Sequence, residues 1–252
     1  MLQIENLSKI YDDGTIALKD VSFEVPDGEF LVVLGLSGAG KSTLLRCINR
    51  LIEPTEGRII WNGKDITAVS RDELRQIRCH IGMIFQEFNL VERSSVITNV
   101  LSGRLGYVKP WLSILNRFPK KEIDRALKNL ERVGIADLAN KRADELSGGQ
   151  RQRVGIARAL MQEPHLMLAD EPVASLDPVL SHSILRYLEQ LNKEDGITVV
   201  CSLHFLDLVR RYASHVVGLK DGQVVFKGLP EEITDQRFKE IYGKEAERIT
   251  VT

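Results

Sequence analysis

Cysteine is scarce: Cys47, Cys79 and Cys201 are the only three, they lie far apart, and no C-x-x-C pair occurs. That gives no support for a disulfide framework. Each sits in or beside an apolar stretch, so the expectation is three buried thiols in a reducing compartment. An excess of either charge is also missing. Lysine plus arginine come to 34 and aspartate plus glutamate to 35, which speaks against a polybasic nucleic-acid binder or a strongly charged membrane patch. Long apolar runs are absent as well. The run at residues 30–34 is far short of the roughly 20 residues that a membrane-spanning helix needs. The start, Met1-Leu2-Gln3-Ile4-Glu5-Asn6-Leu7, has no basic region leading into an apolar core, so it does not read as a signal peptide. No repeat or low-complexity segment stands out. The expectation is a soluble, cytoplasmic protein of 252 residues, one large domain or a core with a lobe attached. Any membrane role would run through a partner.

What is present centres on Gly35-Leu36-Ser37-Gly38-Ala39-Gly40-Lys41-Ser42, a G-x-x-x-x-G-K-S phosphate loop. The β-prone run Phe30-Leu31-Val32-Val33-Leu34 precedes it, and Thr43-Leu44-Leu45-Arg46-Cys47-Ile48 follows as a helix opening. Glycines let the backbone curl around an anion with its N–H groups pointing inward, and the helix start adds its positive dipole end. Lys41 supplies a point charge for the β- and γ-phosphates, and Ser42 a hydroxyl for Mg²⁺.

Taken in order, Leu2, Ile4 and Leu7 alternate with polar residues, and so do Val21, Phe23 and Val25, which predicts half-buried strands. Residues 58–61 followed by Asn62-Gly63 predict a hairpin with a two-residue turn. Ser70-Arg71-Asp72-Glu73 predicts a capping box opening a short helix. Residues 81–85 read as a buried strand ending at Gln86. From about 88 to 160 the texture turns helical, with Ile123, Ala126, Leu127, Leu130 and Val133 at helical spacing. Within it, residues 107–119 are rich in large apolar side chains and bounded by helix breakers. They read either as a loop packed on its own lobe or as a docking surface. Strand texture returns at 166–169, 198–201 and 216–219, and Asp221-Gly222 turns the last of these into 223–226. Asp177, ahead of Pro178, caps a helix that runs to about residue 192.

Two further stretches carry chemistry. Leu166-Met167-Leu168-Ala169-Asp170 is a buried strand ending in an acid, and Glu171 follows at once. A phosphate loop needs such a carboxylate to hold Mg²⁺, and a second acid can activate water. Leu146-Ser147-Gly148-Gly149-Gln150 puts a hydroxyl and two glycines before a helix, a second anion site built from backbone N–H groups and a helix start.

On these residues the chain resembles the nucleotide-binding subunits of ABC transporters over nearly its whole length. Residues 35–42 match the Walker A loop. Residues 166–170 match Walker B, with Glu171 as the catalytic carboxylate, and 146–150 match the signature motif without substitution. The resemblance implies that ATP is held by Tyr11 against adenine and by Gly35, Ser37, Gly38, Ala39, Gly40, Lys41, Ser42 and Thr43. It implies Mg²⁺ on Ser42, Gln86 and Asp170, with Glu171, His204 and Gln86 in catalysis. Asp177 falls in the D-loop, and His204 at the switch histidine. It implies a head-to-tail homodimer in which Ser147, Gly148, Gly149 and Gln150 of one copy face the γ-phosphate held by the other.

The implied fold class is α/β: a P-loop NTPase (RecA-like) core with an N-terminal antiparallel β subdomain and an inserted α-helical subdomain. Residues 1–244 form one nucleotide-binding domain, with 1–87 and 161–244 as the catalytic core, 88–160 as the helical part and 245–252 as a short polar tail. Residues 89–106, 171–178 and 202–212 are similar to the ATPases of bacterial phosphonate importers. Val173-Ala174-Ser175 and Phe205 depart from the broader importer pattern in the same direction. The partners implied are integral-membrane permease subunits and, indirectly, an extracytoplasmic phosphonate-binding protein. The place implied is the cytoplasmic face of the bacterial cell membrane, as a peripheral subunit. The transported solute would be a phosphonate or a phosphite-like oxyanion. The alternatives are an importer ATPase for another solute, or a soluble ABC ATPase acting on nucleic acid or ribosomes. Balanced charge and the lack of a second nucleotide domain in the chain count against the latter.

Overall fold

The run Phe30–Leu34 has no polar alternation, and the fold gives it no solvent face: all five residues are buried. The computed structural model describes residues 1–107 and 118–243. In chain order its strands are β1 (Leu2–Ile10), β2 (Ile16–Val25), β3 (Phe30–Leu34), β4 (Glu56–Trp61), β5 (Lys64–Asp65), β6 (Ile81–Ile84), β7 (Leu166–Ala169), β8 (Thr198–Leu203), β9 (His215–Lys220) and β10 (Gln223–Gly228). Among the described residues the α-helices are α1 (Lys41–Ile48), α2 (Arg71–Arg78), α3 (Val96–Leu101), α4 (Lys120–Arg132), α5 (Gly148–Leu160), α6 (Pro178–Asp195), α7 (Leu206–Tyr212) and α8 (Asp235–Tyr242).

Two sheets result. A four-stranded antiparallel sheet has the order β2-β1-β4-β5, and a six-stranded sheet the order β10-β9-β3-β8-β7-β6. In the larger sheet β9, β3, β8, β7 and β6 run parallel, and β10 turns back antiparallel on β9. Alternation along β3 sends its residues to two apolar clusters. Phe30, Val32 and Leu34 join Val199, Cys201 and Leu203 of β8 and the helices α3 to α8 on one face. Leu31 and Val33 join Val200, Val217 and Leu219, the small sheet and α1 on the other. A sheet covered on both faces is what uninterrupted apolar strands require. Each fully buried leucine, valine or isoleucine contributes about 1.5–3 kcal/mol of transfer free energy.

The helical stretch adds to this core. Ala126 and Leu130 of α4, Val96 and Val100 of α3, and Val154 and Ala157 of α5 are buried in the same cluster as one face of the larger sheet. Val133 is buried and Ile123 and Leu127 half-buried, as their helical spacing predicts. Asp177 caps α6 by accepting from the Leu180 N–H at 3.0 Å, ahead of Pro178. One local expectation is only half met. Ser70 accepts from the Glu73 N–H at 3.3 Å, but the Glu73 carboxylate pairs with Lys64 instead of closing the capping box. The flanking hairpin β4–β5 delivers a cation that outcompetes a backbone N–H. Most of the 107–119 stretch, namely 108–117, and the tail 245–252 lie outside the described residues.

Among the described residues no helix is long and apolar enough to cross a membrane. All three cysteines are free and buried. Burial pushes the Cys47 thiol up to about 12 and raises those of Cys79 and Cys201 as well. Because the thiolate is the reactive form, an aromatic disulfide reagent at pH 8 is expected to label none of them within minutes. All three should react in guanidinium. Rapid labelling of a native thiol would contradict this packing.

Candidate nucleotide-hydrolysing site

The parallel register decides where the chemistry collects. Leu34 pairs with Leu203, Ala169 with Cys201, and Ile84 with Ala169, so β3, β6, β7 and β8 end side by side. The next residues are Gly35, Phe85 ahead of Gln86, Asp170 and His204. Ligands of open α/β sheets bind at this carboxyl edge.

The loop after β3 is seated too closely for side chains at two positions. A Cβ on Gly35 would lie 2.4 Å from the Leu219 carbonyl oxygen, and one on Gly40 2.4 Å from that of Ala17. Gly40 also has a φ of +99°, which glycine adopts at no steric cost. It stands at the N-cap of α1 with no side-chain cap, so the first N–H groups of the helix are directed at the loop's hollow. Lys41 is buried, and its Nζ donates to the carbonyls of Gly35 and Leu36, both at 2.9 Å. The same ammonium lies 3.4 Å from Glu171 Oε1. Burial lowers the Lys41 pKa, opposed by Glu171 and Asp170.

Asp170 is fully buried at the end of β7. Ser42 donates to its Oδ1 at 2.7 Å, Ser202 to the same oxygen at 3.3 Å, and Arg46 to Oδ2 at 3.3 Å. Glu171 adopts a φ of +45°, and its N–H donates to Ser202 Oγ at 2.8 Å. His204 Nε2 contacts Glu171 Oε1, while its Nδ1 lies 3.2 Å from the Gly35 carbonyl and 3.3 Å from Lys41 Nζ. The Tyr242 hydroxyl, on α8, donates to the His204 carbonyl. Lys41, Asp170, Glu171 and His204 thus form one connected cluster.

Other predicted residues sit around it. The Tyr11 hydroxyl is 3.2 Å from Thr43 Oγ1, and the Lys9 ammonium lies 5.2 Å from the centre of the Tyr11 ring. Gln86 is exposed just after β6. Ser37 and Gly38 are exposed and Ala39 buried in the loop. Ser147 caps α5 and forms a complete capping box with Gln150. Gly149 packs so closely on α6 that a Cβ would lie 2.9 Å from Leu180, and one on Gly148 would lie 3.6 Å from Leu176. Among the described residues no hydrogen bond or ion pair joins 146–150 to 35–43. The structure does not bring these two glycine-rich stretches together within one chain.

Four residues here escape the sequence reading: Arg46, Arg158, Ser202 and Tyr242. Arg158, on α5, donates to the carbonyls of Phe88 (2.8 Å) and Asn89. Those two residues carry φ values of +60° and +48°. Helix α5 therefore grips the strained segment that follows Gln86. Ser202 has a legible signal, a hydroxyl inside an apolar strand; the reach of Arg158 and Tyr242 depends on tertiary placement.

The donors also fit a small hard cation. Ser42 and Asp170 bring a hydroxyl and a carboxylate oxygen together at the start of α1, an oxygen set of the kind Mg²⁺ takes. A phosphate-cradling loop whose lysine and serine reach paired acids on the next strand but one is built to cleave a phosphoanhydride. The class of the molecule is that of the P-loop nucleotide hydrolases.

The profile described as ABC transporter matches residues 18–174, and the chain belongs to that family. It is 56% identical over 250 residues to the phosphonates import ATP-binding protein PhnC of Bdellovibrio bacteriovorus, covering 99% of this chain and 96% of that protein. It is 55% identical to PhnC of Shouchella clausii, covering 97% and 92%. Among solved structures, the ATP-binding cassette MJ0796, in a dimeric post-hydrolysis state bound to ADP and Pi, matches with a TM-score of 0.80. That match has 35% identity over 91% of this chain and 99% of that one. The cassette MJ1267 matches with a TM-score of 0.83 and 33% identity, covering 96% and 98%. The chain is an ABC-type ATPase.

Proposed function

We propose that this ATPase drives an importer of phosphonates, or of phosphite-like oxyanions, through a permease bound at the cytoplasmic face of a bacterial cell membrane. The observation that carries the solute is the near-full-length similarity to phosphonate-import ATP-binding proteins. In this reading no phosphonate touches the chain. An extracytoplasmic binding protein selects the solute, and nucleic acid has no part.

The residues divide the work as follows. The N–H groups of residues 38–43 and the Lys41 ammonium hold the β- and γ-phosphates, and Tyr11 offers its ring to the adenine. Drawing Lys41 towards phosphate loosens its contact with Glu171, whose Oε1 is then open to a water hydrogen bond. Glu171 accepts the proton as that water attacks the γ-phosphorus in line, and His204 orients the water. Ser42 and Asp170, with Gln86 nearby, would hold Mg²⁺, which supplies neutralising charge on the phosphate oxygens. Ser147 and Gly149 of a second copy close the γ-phosphate pocket, and Asp177 lies at the same junction. Closure moves α5, and Arg158 passes that movement to residues 88–89 and so towards the permease.

Reconstituted with its permease and binding protein, the chain is expected to turn over ATP faster with a phosphonate or phosphite than with none. An unrelated solute should leave the rate unchanged. Phosphate release in liposomes measures this, and stimulation by the unrelated solute alone would contradict the assignment.

A further inference from the structure

Ser202 is fully buried in β8 between Cys201 and Leu203, where a hydroxyl is unfavourable unless it is hydrogen-bonded. Among the described residues its Oγ is spent on the reaction centre alone: it accepts from the Glu171 N–H at 2.8 Å and donates to Asp170 Oδ1 at 3.3 Å. One hydroxyl on a neighbouring strand thus spans the backbone of the water-activating acid and the carboxylate of the metal-holding acid. The first of these needs holding. Glu171 is a β-carbon-bearing residue at a φ of +45°, a conformation that persists only where its surroundings impose it. The second is also set by this contact. Oδ1 of Asp170 takes Ser42 and Ser202 together, which fixes the plane of the carboxylate and leaves Oδ2 to Arg46.

We propose that Ser202 is a positioning residue for ATP hydrolysis: its hydroxyl fixes the left-handed turn at Glu171 and the rotamer of Asp170 with one pair of hydrogen bonds. The inference rests on the roles given above to Asp170 and Glu171.

Ser202→Ala, Ser202→Thr and Glu171→Gln should be compared with the parent chain. For Ser202→Ala, kcat is expected to fall about 10- to 100-fold, the cost of a small misplacement at a reaction centre. KM for ATP should stay within about twofold, because the loop contacts are untouched. The Mg²⁺ concentration for half-maximal turnover should rise about tenfold, as when a group supporting a metal ligand is lost. Ser202→Thr keeps the hydroxyl and should restore most of kcat. Binding of a fluorescent ATP analogue in chelator should match the parent in all three. A merely structural serine would lower the unfolding temperature and leave kcat and the Mg²⁺ requirement alone. If Ser202→Ala is unfolded at the assay temperature, Ser202→Cys carries the same expectation, with similar volume and a weaker donor and acceptor. Parent-like kcat and Mg²⁺ dependence in the alanine variant, beside an inactive Glu171→Gln, would overturn the role of Ser202. An active Glu171→Gln would instead remove the reading on which it rests.

Discussion

Glu171→Gln is expected to lower ATP turnover about 10³-fold, about 4 kcal/mol in activation free energy, while ATP still binds. The amide has nearly the volume of the acid and can keep the contact with His204. It cannot take a proton from water. The side chain is half-buried and already touches Lys41, at 3.4 Å, and His204, the two groups that the proposed mechanism sets beside it. The loop contacts of Lys41 with Gly35 and Leu36 do not involve Glu171, so the phosphate cradle survives the change. Phosphate release and equilibrium binding of a fluorescent ATP analogue separate the two effects. Turnover within tenfold of the parent would show that another group activates the water.

Ser147→Asp is expected to be nearly as damaging, about 10²-fold in turnover, the scale of losing one oriented donor to a developing charge. The substitution isolates charge from structure. Aspartate is as good an N-cap as serine, so α5 keeps its start and the unfolding temperature should hold. What changes is a negative charge where the proposed mechanism sets the second copy's triphosphate. Because 146–150 share no hydrogen bond with 35–43 in one chain, ATP affinity of the dilute, single chain should stay within about twofold. A variant that hydrolyses ATP at the parent rate would mean that the signature stretch does not face phosphate.

The parts of this site that the sequence discloses are those whose geometry is local. Residues 30–42 give strand, loop and helix in one run, and 166–171 give an apolar strand that stops at two acids. In both, what the backbone does is set by neighbours a few positions away. Ser70–Glu73 is a warning within the same logic: the pattern is local, but Lys64 arrives from a hairpin and takes the carboxylate. The parts that stay hidden are those set by strand order. Nothing between residues 171 and 202 announces that β8 lies between β3 and β7. Only that order brings the Ser202 hydroxyl to both acids, and the left-handed turn at Glu171 becomes visible with it. Arg158 is similarly silent in sequence. In the fold it is buried enough for its pKa to be lowered, with its guanidinium on two backbone carbonyls.

In the proposed mechanism each nucleotide site is half a site until a second copy closes it. The most direct measurement of this is the solution mass of Glu171→Gln with and without saturating ATP and Mg²⁺, by light scattering on a sizing column. The expected result is one copy of the 28.4 kDa chain without nucleotide and two copies with it, the dimer being lost on adding Ser147→Asp. A single-copy mass in saturating ATP, from a chain that demonstrably binds the nucleotide, would contradict it.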